Sequence, residues 1–229
     1  MSGYSPLREI QQIRDIPQDS PLSGEERQTL QRQEVLKRAF DIFFSLLALA
    51  ITAPILVIVA LLIKLDSEGP VLYVSERVGR HGKHFRFLKF RTMVKDADAL
   101  RHSVMHLNER QGNLFKIARD PRTTSIGRIL RRYSLDELPQ FFCVLTGHMS
   151  VVGPRPCLPR EHMFYTEEQC RRLEVMPGIT GLWQVEARMS PSVEEYFELD
   201  LHYVDNWSLW GDLKILLKTV PVVLSGAGH

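Results

Sequence analysis

Between Ile42 and Ile63 the chain reads IFFSLLALAITAPILVIVALLI, without one ionisable residue. As a straight helix, at about 1.5 Å per residue, this run would reach roughly 33 Å, enough to cross a hydrocarbon core of about 30 Å. A helix hidden inside a soluble core is the plain alternative, but a run so long and so free of charge reads as membrane-embedded. Nor does it read as a cleaved signal. It starts roughly forty residues in, exceeds the usual apolar core of such a signal, and ends at Lys64-Leu65-Asp66 with no small-x-small cleavage site.

Two features argue against a plain crossing. Pro54 lies near the middle of the run, where it removes a backbone donor and clashes with the preceding turn, so a break is expected there. Both flanks are also basic: Arg27, Arg32, Lys37 and Arg38 precede the run, and Lys64, Arg77, Arg80, Lys83 and Arg86 follow it. The positive-inside tendency therefore names no winner between the flanks. A re-entrant helix, broken at Ala53-Pro54 and returning to the same leaflet, satisfies both features slightly better than a kinked single span.

The rest of the chain divides around this element. Residues 1–22 are polar, hold several prolines, and read as a loose N-terminal tail. Residues 23–66 read as a polar helix leading into the membrane helix, opened by the capping-box spacing Ser23-Gly24-Glu25-Glu26. Residues 67–229 read as one domain with interfacial helices, long enough to bury a core of its own. Within it, VLYVSERV and HFRFLKF have strand character and flank a Gly-containing loop, which predicts a β-hairpin. Lys95–Phe115 reads as helical, and its His102 and His106, four apart, fit a solvated face better than a zinc site. SIGRILRRY forms a basic amphipathic helix, able to dock on the core or lie at the bilayer surface. A last helix runs through NWSLWGDLKILLKTVPVVL, with Trp207 and Trp210 at its start, where core packing is the default for both and the headgroup zone the alternative. The fold class is thus mainly α with a small β-hairpin (α+β), carried on a proline-broken re-entrant membrane helix.

Charge and cysteines narrow the chemistry. With 29 Lys+Arg against 27 Asp+Glu, the net field alone recruits neither DNA nor membrane. Cys143, Cys157 and Cys170 form no CxxC pair, which favours a reducing compartment over a disulfide framework or zinc ribbon. The densest polar stretch, Asp120 to Arg160, contains Asp136-Glu137, with Arg131 and Arg132 before the pair and Pro139 after it. Ser134-Leu135-Asp136-Glu137 also fits a capping box in which Glu137 merely ties down a helix start. Against that reading, Pro139 would fall inside the helix. Paired carboxylates among guanidiniums beside a membrane segment suit a phosphate or diphosphate held with a hard divalent cation, Mg²⁺ or Mn²⁺. A carboxylate can also attack phosphorus directly. Gly153-Pro154-Arg155-Pro156 adds an arginine stiffened by two prolines. A nucleic-acid groove is disfavoured, because Asp120, Asp136 and Glu137 sit inside the basic region and would repel a phosphate backbone.

Taken in order, Lys89-Phe90-Arg91-Thr92-Met93, DPRTTSIGRILRRYSLDELPQ, MSVVGPRP and PGITGLWQV resemble the bacterial sugar transferase family, the monotopic polyprenyl-phosphate phosphoglycosyl transferases. The likeness runs from about residue 35 to the C-terminus, opening with Lys37, Arg38 and Asp41. It implies a re-entrant helix broken at Pro54, in the bacterial inner membrane, with the catalytic domain on the cytoplasmic face. It also implies transfer of a sugar phosphate from a UDP-sugar donor to polyprenyl phosphate, usually undecaprenyl phosphate, releasing UMP. By the resemblance Asp136 is the nucleophile, Glu137 its partner, and both bind Mg²⁺. Arg131 and Arg155 align at the phosphates, as Lys89 and Arg91 do less firmly. Membrane lipids and a homodimer are its further implied partners. The departures are His148 for an acidic residue, Cys143 for Asn, Ala187 for Gly before Arg188, and Ala53 for Ser before the proline. A non-catalytic scaffold or anionic-lipid-binding protein of a glycan pathway is the alternative, which the intact Asp-Glu pair disfavours. The topology has its own test. Single cysteines at positions 30 and 80 should react with a membrane-impermeant thiol reagent from the same side; opposite-side labelling means a single span.

Overall fold

The computed structural model describes residues 24–109, 117, 119–190 and 192–226; the expected N-terminal tail and residues 110–115 of the expected Lys95–Phe115 helix lie outside these. The polar helix and the apolar run form one element, α1 (Gly24–Asp66), with Pro54 inside it. Just before the proline, Thr52 Oγ1 donates to Ala48 O at 2.7 Å, a back-bond of the kind that bends helices. Lys37, Asp41, Ser45, Val59 and Ile63 are buried, on one stripe, whereas Phe43, Leu46, Ile51, Val57, Ile58 and Leu61 face outward. The most apolar window of α1 has a mean hydropathy of 3.0 and is only 11% buried, so this is no core helix of a water-soluble domain. It is compatible with membrane association.

The expected hairpin is present: β1 (Leu72–Val78) pairs antiparallel with β2 (His84–Phe90), Leu72 opposite Phe90 and Val78 opposite His84. Alternation along β2 buries Phe85 and Phe87 while His84 and Arg86 stay exposed. The loop between the strands turns through left-handed His81 and Gly82. Within the stretch expected to be helical, residues Ala99–Leu107 make a 3₁₀ helix.

Next come α2 (Ser125–Arg132), α3 (Gln140–Leu145), β3 (Ser150–Val152), α4 (Pro159–His162), α5 (Glu167–Cys170), β4 (Gly178–Thr180), α6 (Leu182–Glu186), α7 (Val193–Asp205) and α8 (Leu209–Leu224). Thr124 caps α2, its Oγ1 accepting from Gly127 N. Gly127 itself is required by space, since a Cβ there would run into the backbone of Thr92. β3 and β4 are parallel partners, a pairing the sequence does not announce because each strand is three residues long.

Among the described residues three apolar cores hold these parts together; one gathers Trp183, Ala187, Tyr196 and Phe197, and the other two take in α1. In the larger, Phe85, Phe87, Val144, Met149, Val151, Val152, Val204 and Ile215 pack with Phe40 and Phe44 of α1. In the smaller, Val59 and Ile63 of α1 pack with Phe90 and Leu130. Both ends of the apolar run therefore rest on the same domain. The two tryptophans divide: Trp207 is buried and donates to Asp212 Oδ2 at 3.1 Å, while Trp210 is 62% exposed beside exposed Leu217 and Val220 on α8.

Polar contacts lock the first of these junctions. Lys37 Nζ lies 2.7 Å from Asp212 Oδ2 and 3.2 Å from Asp41 Oδ1. Asp212 also accepts from Tyr203 OH, and Asp41 from Ser150 Oγ and Val151 N. Arg38 donates to Val144 O and Leu145 O, closing the C-terminal end of α3. Lys37→Met should leave Asp212, which is 0% exposed, buried without its counter-charge. The expected loss is about 3–5 kcal/mol of unfolding free energy, read from denaturant or thermal unfolding in detergent.

Candidate functional site

The Asp136-Glu137 pair sits on a 3₁₀ turn (Leu135–Glu137), and the following helix, α3, begins only after Pro139. Ser134 is left-handed (φ 53°) and its side chain caps nothing. The capping-box reading therefore fails: Glu137 reaches away from the turn, not back to it. Its Oε1 accepts from Lys89 Nζ at 2.8 Å and from Arg155 Nη1 at 3.1 Å. Asp136 is more loosely engaged, with Lys89 Nζ 3.5 Å from its Oδ2.

This difference separates the two acids electrostatically. Burial alone would raise Glu137, but Lys89 and Arg155 outweigh it and hold the carboxyl well below the usual range. Burial also raises Asp136, and there the opposing pull of Lys89, Arg131 and Arg155 does not win, because the neighbouring Glu137 charge adds to the rise. One carboxylate is thus firmly ionised and clamped; the other keeps weaker partners.

Each cation arrives on its own element. Lys89 comes from β2 and Arg131 from the last turn of α2, where its Nε donates to Thr92 Oγ1 at 2.9 Å. Arg155 follows β3 in the Gly153-Pro154 turn, and Gly153 allows the close approach of the Met176–Gly178 backbone. Arg91 lies elsewhere. Its guanidinium donates to Ser67 O at 2.6 Å, to Ser67 Oγ at 3.0 Å and also to Glu68 O, covering the carbonyls at the end of α1. Of the proposed phosphate-binding residues, the structure gathers Lys89, Arg131 and Arg155 around the acids and puts Arg91 at the membrane helix. Pro54 is exposed on α1.

Two further arginines belong to the surroundings. Arg188, met in the sequence only as part of a motif departure, donates to Ser134 Oγ at 3.2 Å, and its charge acts on both acids. Arg172 carried no sequence signal. Fully buried, it pairs with Asp200 at 2.5 Å, lies against the rings of Tyr165, Tyr196 and Phe197, and donates to Arg155 O at 2.8 Å. It thereby fixes the backbone that presents Arg155. A cavity of about 400 Å³ opens beside Glu137 and Arg155, with Arg188, Trp183, Gln184 and Tyr196 in its wall.

As a cation site the acids alone supply only part of a shell. No cluster of three His, Cys, Asp or Glu able to hold a metal occurs among the described residues. Mg²⁺ typically takes one or two carboxylates and completes its shell with water and substrate phosphates, so Asp136 and Glu137 fit that donor set when a diphosphate is present. Of the departures, Ala187 directly precedes Arg188, whose charge acts on both acids. Cys143 is in the larger core with its Sγ toward Arg86 O, exposed His148 stacks on Phe85, and Ala187 is buried against the Trp183–Tyr196 cluster.

Known proteins resemble this chain. The family model described as "Bacterial sugar transferase" matches residues 32–226. The chain is 43% identical over 195 residues to the galactosyl transferase CpsE of Streptococcus agalactiae, covering 85% of this chain and 43% of that protein. Identity is 39% over 198 residues to the exopolysaccharide production protein ExoY of Sinorhizobium fredii, covering 85% and 88%. It is 40% over 232 residues to the UDP-glucose:undecaprenyl-phosphate glucose-1-phosphate transferase of Escherichia coli, covering 95% and 45%. The chain thus spans less than half of the first and third relatives and most of the second. The geometry generates a direct check. Arg155→Met should weaken pyrophosphate binding about tenfold or more. Arg91→Met should leave that affinity within about twofold and instead lower unfolding free energy by about 2–3 kcal/mol, as loss of charge-assisted bonds would.

Proposed function

Because the chain belongs to the bacterial sugar transferase family, we propose that it moves a sugar-1-phosphate from a UDP-sugar to polyprenyl (undecaprenyl) phosphate, giving polyprenyl diphosphate-sugar and UMP. The observation that carries this reading is the unequal grip on two adjacent carboxylates. Glu137 is fixed by two cations, while Asp136 retains one at 3.5 Å. The less engaged acid is the better placed nucleophile.

In the proposed first step an Asp136 carboxylate oxygen forms a bond to the sugar-bearing phosphorus. The bond from that phosphorus to the bridging oxygen breaks, and UMP leaves with the electron pair. In the second step an oxygen of the lipid phosphate attacks the same phosphorus and the bond to Asp136 breaks, restoring the carboxylate. Arg155, Arg131 and Lys89 neutralise the equatorial and departing oxygens, which is most of what phosphoryl transfer asks of a protein. Mg²⁺, held by Asp136 and Glu137 together with the diphosphate, would supply further charge neutralisation. Glu137 orients Lys89 and Arg155 until the donor's phosphates replace it as their partner.

The membrane element completes the proposal. A helix broken at Pro54 and returning to the cytoplasmic leaflet of the inner membrane is supported by the contacts of its two ends. Phe40 and Phe44 join the core of Phe87, Val59 and Ile63 the core of Phe90, and Phe87 and Phe90 are about 10 Å apart along an extended strand. A straight crossing would carry the second half toward the opposite leaflet. The lipid phosphate then need not leave the headgroup plane to reach Asp136. Asp136→Asn should abolish both turnover and the covalent adduct trapped with radiolabelled donor in the absence of acceptor, while the protein still sediments with membranes. Near wild-type UMP release by that variant would exclude Asp136 as the nucleophile.

A further inference from the structure

The acid pair is delivered by a sharp reversal of the chain. α2 ends at Arg132, and Tyr133 and Ser134 turn the backbone before Leu135–Glu137. Ser134 is left-handed, with φ 53° and ψ 22°. Its N–H donates to Arg131 O at 3.1 Å, and its carbonyl accepts from Glu137 N at 3.1 Å. One residue thus couples the segment carrying Arg131 to the segment carrying both acids. Glycine adopts such a backbone freely, whereas a Cβ makes it costly, and Asn or Asp are the side chains that tolerate it best. Both backbone bonds would form equally well with glycine at this position. On stability alone, Ser134 is the wrong residue.

What its side chain adds lies across the site. The hydroxyl does not cap the turn that it opens; its Oγ accepts from Arg188 Nη2 at 3.2 Å. Among the described residues the Arg188 guanidinium has no other hydrogen-bond partner and no ion pair. The other cations near the acids are held differently: Lys89 and Arg155 by Glu137 Oε1, and Arg131 by Thr92 Oγ1. The charge of Arg188 nevertheless acts on Asp136 and Glu137. A carboxylate at position 134 would cancel that charge at contact. A methyl would release the long side chain to its full rotamer freedom. A hydroxyl holds the guanidinium and leaves its charge uncancelled.

Resting on the reading above, we propose that Ser134 is a positioning residue: its hydroxyl holds the Arg188 guanidinium toward the acid pair, and its strained backbone is retained for that hydroxyl at a cost in stability. Ser134 touches no reacting atom and acts through Arg188. The positive field at the acids then rests on four elements, with Lys89 on β2, Arg131 on α2, Arg155 after β3 and Arg188 after α6. Three of those cations are fixed by Glu137 and Thr92, and the fourth is fixed by the residue that turns the chain into the acids. A left-handed non-glycine residue beside reacting groups is where strain of this kind concentrates.

The test separates stability from activity, using the full chain in lipid nanodiscs. Ser134→Ala removes the hydroxyl and keeps the backbone strain; Ser134→Gly removes both. Each should lower kcat/KM for UMP release about tenfold and weaken pyrophosphate binding about fivefold, as loss of a hydrogen bond to a charged group implies. Ser134→Gly should nonetheless melt about 2 °C or more above wild type, whereas Ser134→Ala should not. In an Arg188→Gln background, Ser134→Ala should change turnover and pyrophosphate affinity by no more than about twofold, because the two residues act as one unit. The proposal is overturned if Ser134→Ala or Ser134→Gly keeps both quantities within about twofold of wild type. It is also overturned if Ser134→Gly loses stability along with activity, as a merely structural residue would, or if the effects of Ser134→Ala and Arg188→Gln add. Melting and pyrophosphate binding need no turnover, so they judge Ser134 by themselves. Absence of UMP release by wild type would overturn the catalytic reading alone.

Discussion

One buried cation sets the geometry of the molecule. Lys37 lies between Asp41 on its own helix and Asp212 on α8, and Asp41 in turn holds the backbone of β3 through Val151 N. Charges in such a place are expensive to desolvate, and they persist only because each has several partners. What the arrangement specifies is register. A slip of α1 by one turn, about 5.4 Å, would break every bond in the set. The apolar run starts at Ile42, directly after this junction, so the same contacts that fix the helix also fix where the apolar run begins relative to the rest of the chain.

From β3 the order propagates to the chemistry. Val152 leads into Gly153-Pro154-Arg155, whose carbonyl is held by Arg172 and whose guanidinium reaches Glu137. At rest Lys89 and Arg155 answer Asp136 and Glu137. A diphosphate entering that balance brings charge the two cations cannot cover alone. Arg131 and Arg188, whose charges already act on Asp136, are the protein's reserve, and a divalent cation on the acid pair would supply the rest. An acid pair that repels itself is thus a poor structural element and a good receiver of cations.

Much of this was legible in the residues. Hydrophobic run, hairpin and SIGRILRRY helix follow from length and period, and Pro139 correctly argued that a helix could not begin at Ser134. The capping-box spacing was a false signal, because the left-handed Ser134 turns the hydroxyl away from the helix that follows. Parallel β3 and β4 were illegible, since three residues leave no alternation to read. Arg172 was illegible for a different reason: in RRLE it looks like a solvated charge, and only the fold brings Tyr165, Tyr196 and Asp200 around it. Lys89 and Arg91 came as one motif, yet they act at separate places.

That last separation has a structural logic. Lys89 and Arg91 are two residues apart, one at the end of β2 and one just past it. Lys89 bridges the acids, and Arg91 grips the carbonyls of Ser67 and Glu68, where α1 finishes. The far end of the apolar run and the position of the lysine between the carboxylates are therefore fixed by the same short piece of backbone. The near end is fixed through β3, which leads to Arg155. Cations that approach Glu137 from two sides are thus each tied, within a few residues, to opposite ends of the membrane element. Any displacement of either end relative to the domain must move one of the two groups that hold the acid pair, so the anchoring of this helix and the charge geometry of the site form one mechanical unit.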